Sequence, residues 1–424
     1  MESTPHPIKT IENGIRVVAA PMAGRKSVAV GIWVGVGARH EEPRLSGVSH
    51  FLEHIVFKGT HKRSANQIKE SIEGVGGSMN AFTSEEHTCF LAKIASRNFE
   101  NVFDVLADMV LNASMKEADV VKERTVIMEE IKMTQDQPSQ LADELLSEIV
   151  WAGHPLGRPI AGTLETVGAM SRDDIEGYRN DQYRPKCITV VAAGDIDQNA
   201  LIRAAGRNFQ GGKPEEPVTP ALFKRTQSQP RTRLLTKSTE QTHLSLAMHA
   251  YPKEHKDEYA LDLLNVIVGG NMSSRLFNEV REERGLAYDV GSYVRRYHET
   301  GAFMVSAGVD NKKPREAIEV ILKELTKLTR ELVPADELRR AKDFYLGQFE
   351  LGLENSMSQM LWVGEDTLTL GRCRTPEEVQ RRIEQATAED VRRVAAEIFI
   401  QSSLNLALVG PPKSEKEFAE LLHF

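Results

Sequence analysis

The sequence predicts an α/β chain of two homologous domains, each pairing one sheet with a layer of helices. Three observations carry this expectation. A proline-rich break splits the 424 residues near the middle. Strand-like and helix-like segments interleave on both sides of it. Segments of the first half recur in the second at a nearly fixed spacing.

The break is Gly211–Pro230, GGKPEEPVTPALFKRTQSQP, with four prolines and two glycines in a polar stretch. Proline fixes φ and removes a backbone donor, so neither helix nor strand should run through it. The expected organisation is a first domain over 1–212, a linker over 213–230 and a second domain over 231–424.

Taken in order, SVAVGIWVG (Ser27–Gly35) alternates as a strand does. Gly47–Lys58 should be helical, with Ser46 as N-cap and Gly59 just past the end. SMNAFTSEEHTCFLAKI (Ser78–Ile94) reads as two strands around a polar turn at Ser84–Glu86. ENVFDVLADM (Glu100–Met109) has helical spacing, and EADVVKER (Glu117–Arg124) opens a long helix. PKCITV followed by VAAGDID reads as a buried strand and its turn, with Cys187 a core thiol. Beyond the break, THLSLAMHA (Thr242–Ala250) repeats the strand and REAIEVILKE (Arg315–Glu324) the helix, each 215 residues on. PADELRRA (Pro334–Ala341) opens a second long helix at a spacing of 217. A shared offset across several elements suggests one α/β unit duplicated.

Composition narrows the function classes. The net charge is -8 and the pI near 5.9, which gives no basic footprint for a nucleic acid. No apolar run reaches bilayer length, and the N-terminus shows no secretory pattern. Three well-separated cysteines, Cys89, Cys187 and Cys373, offer no disulfide framework and no cysteine zinc site, so a reducing cytoplasm is the expected location.

Chemistry concentrates in SHFLEHIVFKGT (Ser49–Thr60). On a helical wheel Val48, Phe51, Leu52 and Ile55 form an apolar arc toward the core. His50, Glu53, His54 and Phe57 project from the other side. His50 and His54 are i and i+4, so both imidazoles can reach one point off the helix. Two imidazoles plus a carboxylate from elsewhere make a three-ligand zinc site with a fourth position open for water, and Glu53 beside them can take a proton. The order His-x-x-Glu-His inverts the better known His-Glu-x-x-His. The remaining carboxylate should come from DVVKERTVIMEEIKM (Asp119–Met133), where Val120, Ile127 and Ile131 form a core stripe. Glu123 and Glu130 stack seven apart and Glu129 points about 100° away. Wheel geometry leaves the choice among these three open. His87 and His154 stand at ligand spacing with nothing and read as structural.

HFLEHIVFKGT and ERTVIMEEI together resemble the pitrilysin/insulinase-type zinc metallopeptidases, the inverzincins, and within them the subgroup of mitochondrial processing peptidase and its bacterial relatives. The resemblance extends through GGSMNAFTSEEHTCF, HPLGRPIAGT, VVAAGDID and SSRLFNEVREERGLAYDVGSY. It implies an α+β fold of two homologous domains, each a mainly antiparallel sheet with a layer of helices, of which only the first is catalytic. It implies one Zn2+ per chain held by His50, His54 and Glu130, with Glu53 as general base and Glu123 orienting a ligand from behind. It implies that Asn80 and Ala81 on an edge strand contact the backbone of an extended peptide substrate, and that Arg281 and Tyr288 help hold it near the scissile bond. Large members are clamshells of four such domains, so a chain of this length implies a homodimer, or a heterodimer with a non-catalytic relative. The duplication is consistent with a single active half: at the 215 spacing His50, Glu53 and His54 fall on Asn265, Val268 and Gly269, and at 217 Glu123 and Glu130 fall on Arg340 and Gly347.

Overall fold

The computed structural model describes residues 6–210, 215–216 and 218–424. Residues 211–214 and 217, which include part of the expected linker, lie outside the described residues. The rest of 213–230 carries no helix or strand.

The strands form two sheets. The first contains β1 (Lys9–Thr10), β2 (Arg16–Pro21), β3 (Ser27–Val34), β4 (Ser78–Thr83), β5 (Thr88–Ala95) and β6 (Ile188–Gly194), in the order β1-β2-β6-β3-β5-β4. The second contains β7 (Arg231–Thr236), β8 (Gln241–Ala250), β9 (Ala287–Arg296), β10 (Gly301–Asp310) and β11 (Asn405–Gly410), in the order β7-β11-β8-β10-β9. Setting β1 aside, the two orders are the same. Each sheet also has one parallel pair in the same place, β2 with β6 and β7 with β11, and is antiparallel elsewhere. The repetition expected from residue spacing is therefore a repetition of topology, and the fold is two homologous α/β domains.

Helices follow in chain order. The first half holds α1 (Val48–Ile55), α2 (Ala65–Ile72), α3 (Phe99–Asn112), α4 (Glu117–Gln135) and α5 (Pro138–Val150). It continues with α6 (Leu164–Ala169), α7 (Arg172–Gln182) and α8 (Gln198–Asn208). The second half holds α9 (Glu258–Val268), α10 (Pro314–Arg330), α11 (Ala335–Leu353) and α12 (Ser356–Leu370). It ends with α13 (Pro376–Gln385), α14 (Ala388–Ile398) and α15 (Glu415–Ala419).

Two compact units result, and they interleave in sequence. One comprises Met1–Ile131, Arg158–Ala221 and Glu350–Thr375, the other Lys132–Gly157, Leu222–Phe349 and Pro376–Phe424. Within the first unit β3 shows why. Val28, Val30, Ile32 and Val34 point into the helix-side core with Phe51, Leu52 and Phe103, while Ala29 and Trp33 point to the other face. That face is covered by Met360 and Val363 of α12, a helix from the far half of the sequence. Within the second unit α5 does the same, setting Leu146 and Val150 against Ala247, Met304 and Ala407. A central strand apolar on both faces needs two covers, and alternate side chains supply both surfaces.

Candidate metal centre

The site begins with α1. Val48, Phe51, Leu52 and Ile55 are fully buried, as the wheel requires, and His50, Glu53, His54 and Phe57 are half-buried on the opposite side. The helix does not start as expected. Ser46 is not its N-cap: Gly47 occupies that position at φ 97°, in the left-handed region that favours glycine, and no side chain at the position caps the helix. The Ser46 carbonyl instead accepts the Thr166 hydroxyl at 2.8 Å. The helix end departs by a smaller amount, since Val56–Lys58 close as one 3₁₀ turn before Gly59.

A buried carboxylate from outside the helix replaces the missing cap. Glu41, 4 % exposed, accepts the Gly47 N–H and the Ser49 N–H at 2.8 Å each. These are among the orphan donors of a helix start, where a negative group also meets the favourable end of the helix dipole. Burial nevertheless pushes the Glu41 carboxyl up to about 7, the two backbone bonds acting against it. Tyr178 of α7 lies 3.2 Å from the Ser49 hydroxyl and props the same turn.

Glu130 comes from α4, whose Val120, Ile127 and Ile131 are buried as a stripe. Its Oε2 lies 3.4 Å from His54 Nε2 and 3.9 Å from His50 Nε2. One ligand atom from each of the three residues lies within 4.8 Å of the others, the single such cluster of three among the described residues. Bonds of about 2.0–2.2 Å in a tetrahedral arrangement separate ligand atoms by about 3.4 Å, so the donor set fits zinc. Burial, and then the neighbouring His54, hold the His50 imidazole down at about 4, which leaves its ring nitrogens neutral and able to ligate. The two rings stand 4.7 Å apart between centroids.

Of the three glutamates, only Glu130 enters the cluster. Glu123, one turn pair before Glu130, is 4 % exposed and faces the back of the site. Its Oε2 is 3.3 Å from His54 Nδ1 and its Oε1 accepts the Lys58 ammonium at 2.7 Å. A carboxylate on the far ring nitrogen fixes which nitrogen faces the metal. His50 Nδ1, by contrast, is buried with no hydrogen-bond partner among the described residues. Glu129 is exposed and outside the cluster.

Glu53 sits beside this cluster, its Oε2 accepting the Thr83 hydroxyl at 2.7 Å. Burial raises the Glu53 carboxyl above its ordinary range, with the Thr83 bond opposing. Thr83 ends β4, the terminal strand of the first sheet. On β4, Ala81 is buried toward the helix side while Asn80 is exposed, and Asn80 Oδ1 accepts the Ala81 N–H at 2.9 Å. The second unit brings Arg281 and Tyr288 together. The guanidinium lies 4.7 Å from the Phe277 ring centre and 4.8 Å from that of Tyr288, a cation held between two aromatic faces. Arg281 rides a π-helical turn, Phe277–Glu282, and Tyr288 is 74 % exposed. Both line an open cavity of about 640 Å³ with Gln241, Leu286 and Asp310.

Residue patterns did not reveal Glu41, Lys58 or Thr83. Thr83 carried a signal, standing two residues after Ala81 and hence on the same strand face. Glu41 carried none in its own neighbourhood. His87 and His154 do not join the metal cluster: His87 packs against Trp33 and Phe82, and His154 against Phe223. Cys187 is a buried free thiol.

Two imidazoles from one helix, a carboxylate from another and a second carboxylate at hand define a mononuclear metallohydrolase centre on a duplicated α/β scaffold. Residues 16–164 match the model of the insulinase family, peptidase family M16, and residues 169–345 match that of the peptidase M16 inactive domain. The chain belongs to the insulinase family of peptidases. It is 37% identical over 402 residues to an uncharacterized zinc protease of Bacillus subtilis, covering 95% of this chain and 97% of that one. It is 36% identical over 420 residues to another from Streptomyces coelicolor, covering 98% and 91%. Among solved structures it is similar to a protease from Helicobacter pylori, with TM-score 0.92 and 24% identity over 96% of this chain and 100% of that one. It is also similar to a peptidase M16 inactive domain from Pseudomonas fluorescens, with TM-score 0.86 and 17% identity over 97% and 99%. The cofactor is zinc, for which these relatives are named and which the three donors fit. No helix among the described residues is long and apolar enough to cross a membrane.

Proposed function

We propose that the chain is a zinc-dependent endopeptidase of peptides and unfolded polypeptide segments, with its metal residues confined to the first of two homologous domains. His50, His54 and Glu130 hold the ion and Glu123 orients His54. The observation that carries this is the convergence of those three donors, with Glu53 projecting from the same helix face. When bound, zinc supplies Lewis acidity, acidifying the attacking water and polarising the scissile carbonyl. Glu53 accepts the proton of that water and later returns it to the leaving amine, a task suited by a carboxyl above its ordinary range. The Thr83 hydroxyl holds Glu53 in place meanwhile.

Substrate adds as a further strand on the β4 edge, with Asn80 and Ala81 meeting its backbone. Main-chain pairing accepts many sequences and demands a locally unfolded chain. Arg281 and Tyr288 bind near the scissile bond, Tyr288 donating its exposed hydroxyl to the developing oxyanion. The working particle is a homodimer in the cytoplasm. The test is cleavage of a quenched fluorescent peptide library by the zinc-loaded chain: chelation should abolish cleavage and zinc restore it. A chain that binds one zinc and cuts nothing would overturn the reading.

The second reading is a non-catalytic subunit. A fold likeness to Complex III2 of Candida albicans favours it, with TM-score 0.83 and 18% identity over 99% of this chain and 100% of that one. The complete donor set and Glu53 argue against it, and the peptide assay decides.

A further inference from the structure

A second cavity, of about 320 Å³, lies in the other unit between the end of β8, the β9–β10 connection and α14. Its walls include Phe223, Arg225, His249, Tyr251, Glu299 and Glu397. His249 is 8 % exposed, yet both of its ring nitrogens are buried without a hydrogen-bond partner. The Phe223 ring stacks on it at 5.6 Å and 30°. Burial, with Arg225 and Arg231 nearby, holds this imidazole at about 4, so the ring is neutral and offers one N–H and one lone pair. An imidazole buried with nothing to bond is costly, and in native structures such groups call for a partner.

The other polar groups of the cavity show which partner. Glu299 already accepts the Phe223 N–H at 2.7 Å. Glu397 accepts the Tyr251 hydroxyl and pairs with Arg393 at 3.4 Å. Both carboxylates are therefore engaged. The Arg225 guanidinium makes no hydrogen bond or ion pair among the described residues, and burial works against its charge. The unspent capacity is a cation, a neutral N–H and an aromatic wall. We propose that this cavity binds a carboxylate attached to a planar or aromatic group, with Arg225 and His249 donating to the carboxylate and the Phe223 ring covering the apolar part. The volume is at the small end of ligand sites, suited to a single amino-acid residue. Such a group is offered by the C-terminal residue of a peptide and by a free aromatic amino acid.

Isothermal titration of the zinc-loaded full chain with N-acetyl-phenylalanine, its primary amide and free phenylalanine tests this. The acid should bind, and the amide should bind at least about tenfold more weakly, since a charge-assisted contact is lost. R225A and H249Q should each weaken the acid by about tenfold or more. Arg225 is exposed, so R225A reports on the site even if H249Q fails to fold. Equal binding of free phenylalanine assigns the site to amino acids, and binding of the acetylated acid alone assigns it to peptide C-termini. Absence of binding, or binding unchanged in R225A as for an acid sitting on the zinc, overturns the proposal.

Discussion

On the proposed reading Glu53 and Glu130 have separable duties at one site, and substitution should separate them. E53Q keeps the size and the Thr83 contact while removing the base. Its turnover should fall by about 10²–10⁴-fold with one zinc per chain retained, read by metal analysis beside peptide cleavage. E130Q and H50A should lose the metal itself. E123Q, which stands behind His54 and also loses the Lys58 ion pair, should cost about 10–100-fold in zinc affinity, measured by competition with a chromogenic chelator. Glu41 makes a different prediction, because its carboxyl is acidified less than solvent would allow. Its folded-state value, about 7, lies above the ordinary 4.5, so the folded chain holds that proton more tightly than the unfolded chain. The stabilising contribution is full below the ordinary carboxylate range and is lost as pH rises through about 7, by roughly 3 kcal/mol in all. In urea unfolding, wild type should therefore lose stability relative to E41Q as pH rises through that window, since glutamine does not titrate. Parallel curves would mean that Glu41 is not carrying its charge buried.

At the level of elements, legibility followed the range of the interaction. The strands Ser27–Val34 and Gln241–Ala250 and the helices Phe99–Asn112 and Pro314–Arg330 were readable because alternation and 3.6-residue spacing are local properties of the chain. The histidine face of α1 was readable for the same reason. Its starting residue was not, because the choice of Gly47 over Ser46 is made by a segment more than a hundred residues away. A Cβ on Gly47 would stand 2.6 Å from the Ala161 carbonyl oxygen, and one on Gly162 would stand 2.3 Å from that of Ser46. The covering helices α5 and α12 escaped for that reason too, each being specified by a partner distant in sequence; Glu41, six residues before Gly47, escaped because no residue spacing ties a carboxylate ahead of the helix to the N–H groups it accepts. G47A thus meets both a φ of 97° and a backbone wall. It should destabilise the fold by more than the ~1 kcal/mol of an ordinary glycine-to-alanine strain. Since His50 lies three residues on, zinc occupancy after dialysis should fall with the melting temperature. A variant that melts early yet holds zinc as tightly as wild type would show the helix start and the ligand geometry to be independent.

For the whole molecule the open matter is where a complete site comes from. The metal donors and Glu53 belong to one domain, whereas Arg281 and Tyr288 belong to the other, and a homodimer allows each zinc to be served by the partner's pair. Sharing of this kind has a quantitative signature. E53Q alone and the double variant R281A/Y288F alone should both be nearly inactive. Mixed under conditions that exchange subunits, half the dimers become hybrids under random assortment, and each hybrid carries one intact composite site of its two. Peptide cleavage should then recover to about a quarter of wild type, a consequence of the two-fold symmetry of a closed dimer. Sharing within one chain gives no recovery, because every chain in the mixture is then defective by itself. Differently tagged chains recovered together confirm that hybrids formed, so a silent mixture with hybrids present rejects the trans arrangement while leaving the zinc chemistry untouched.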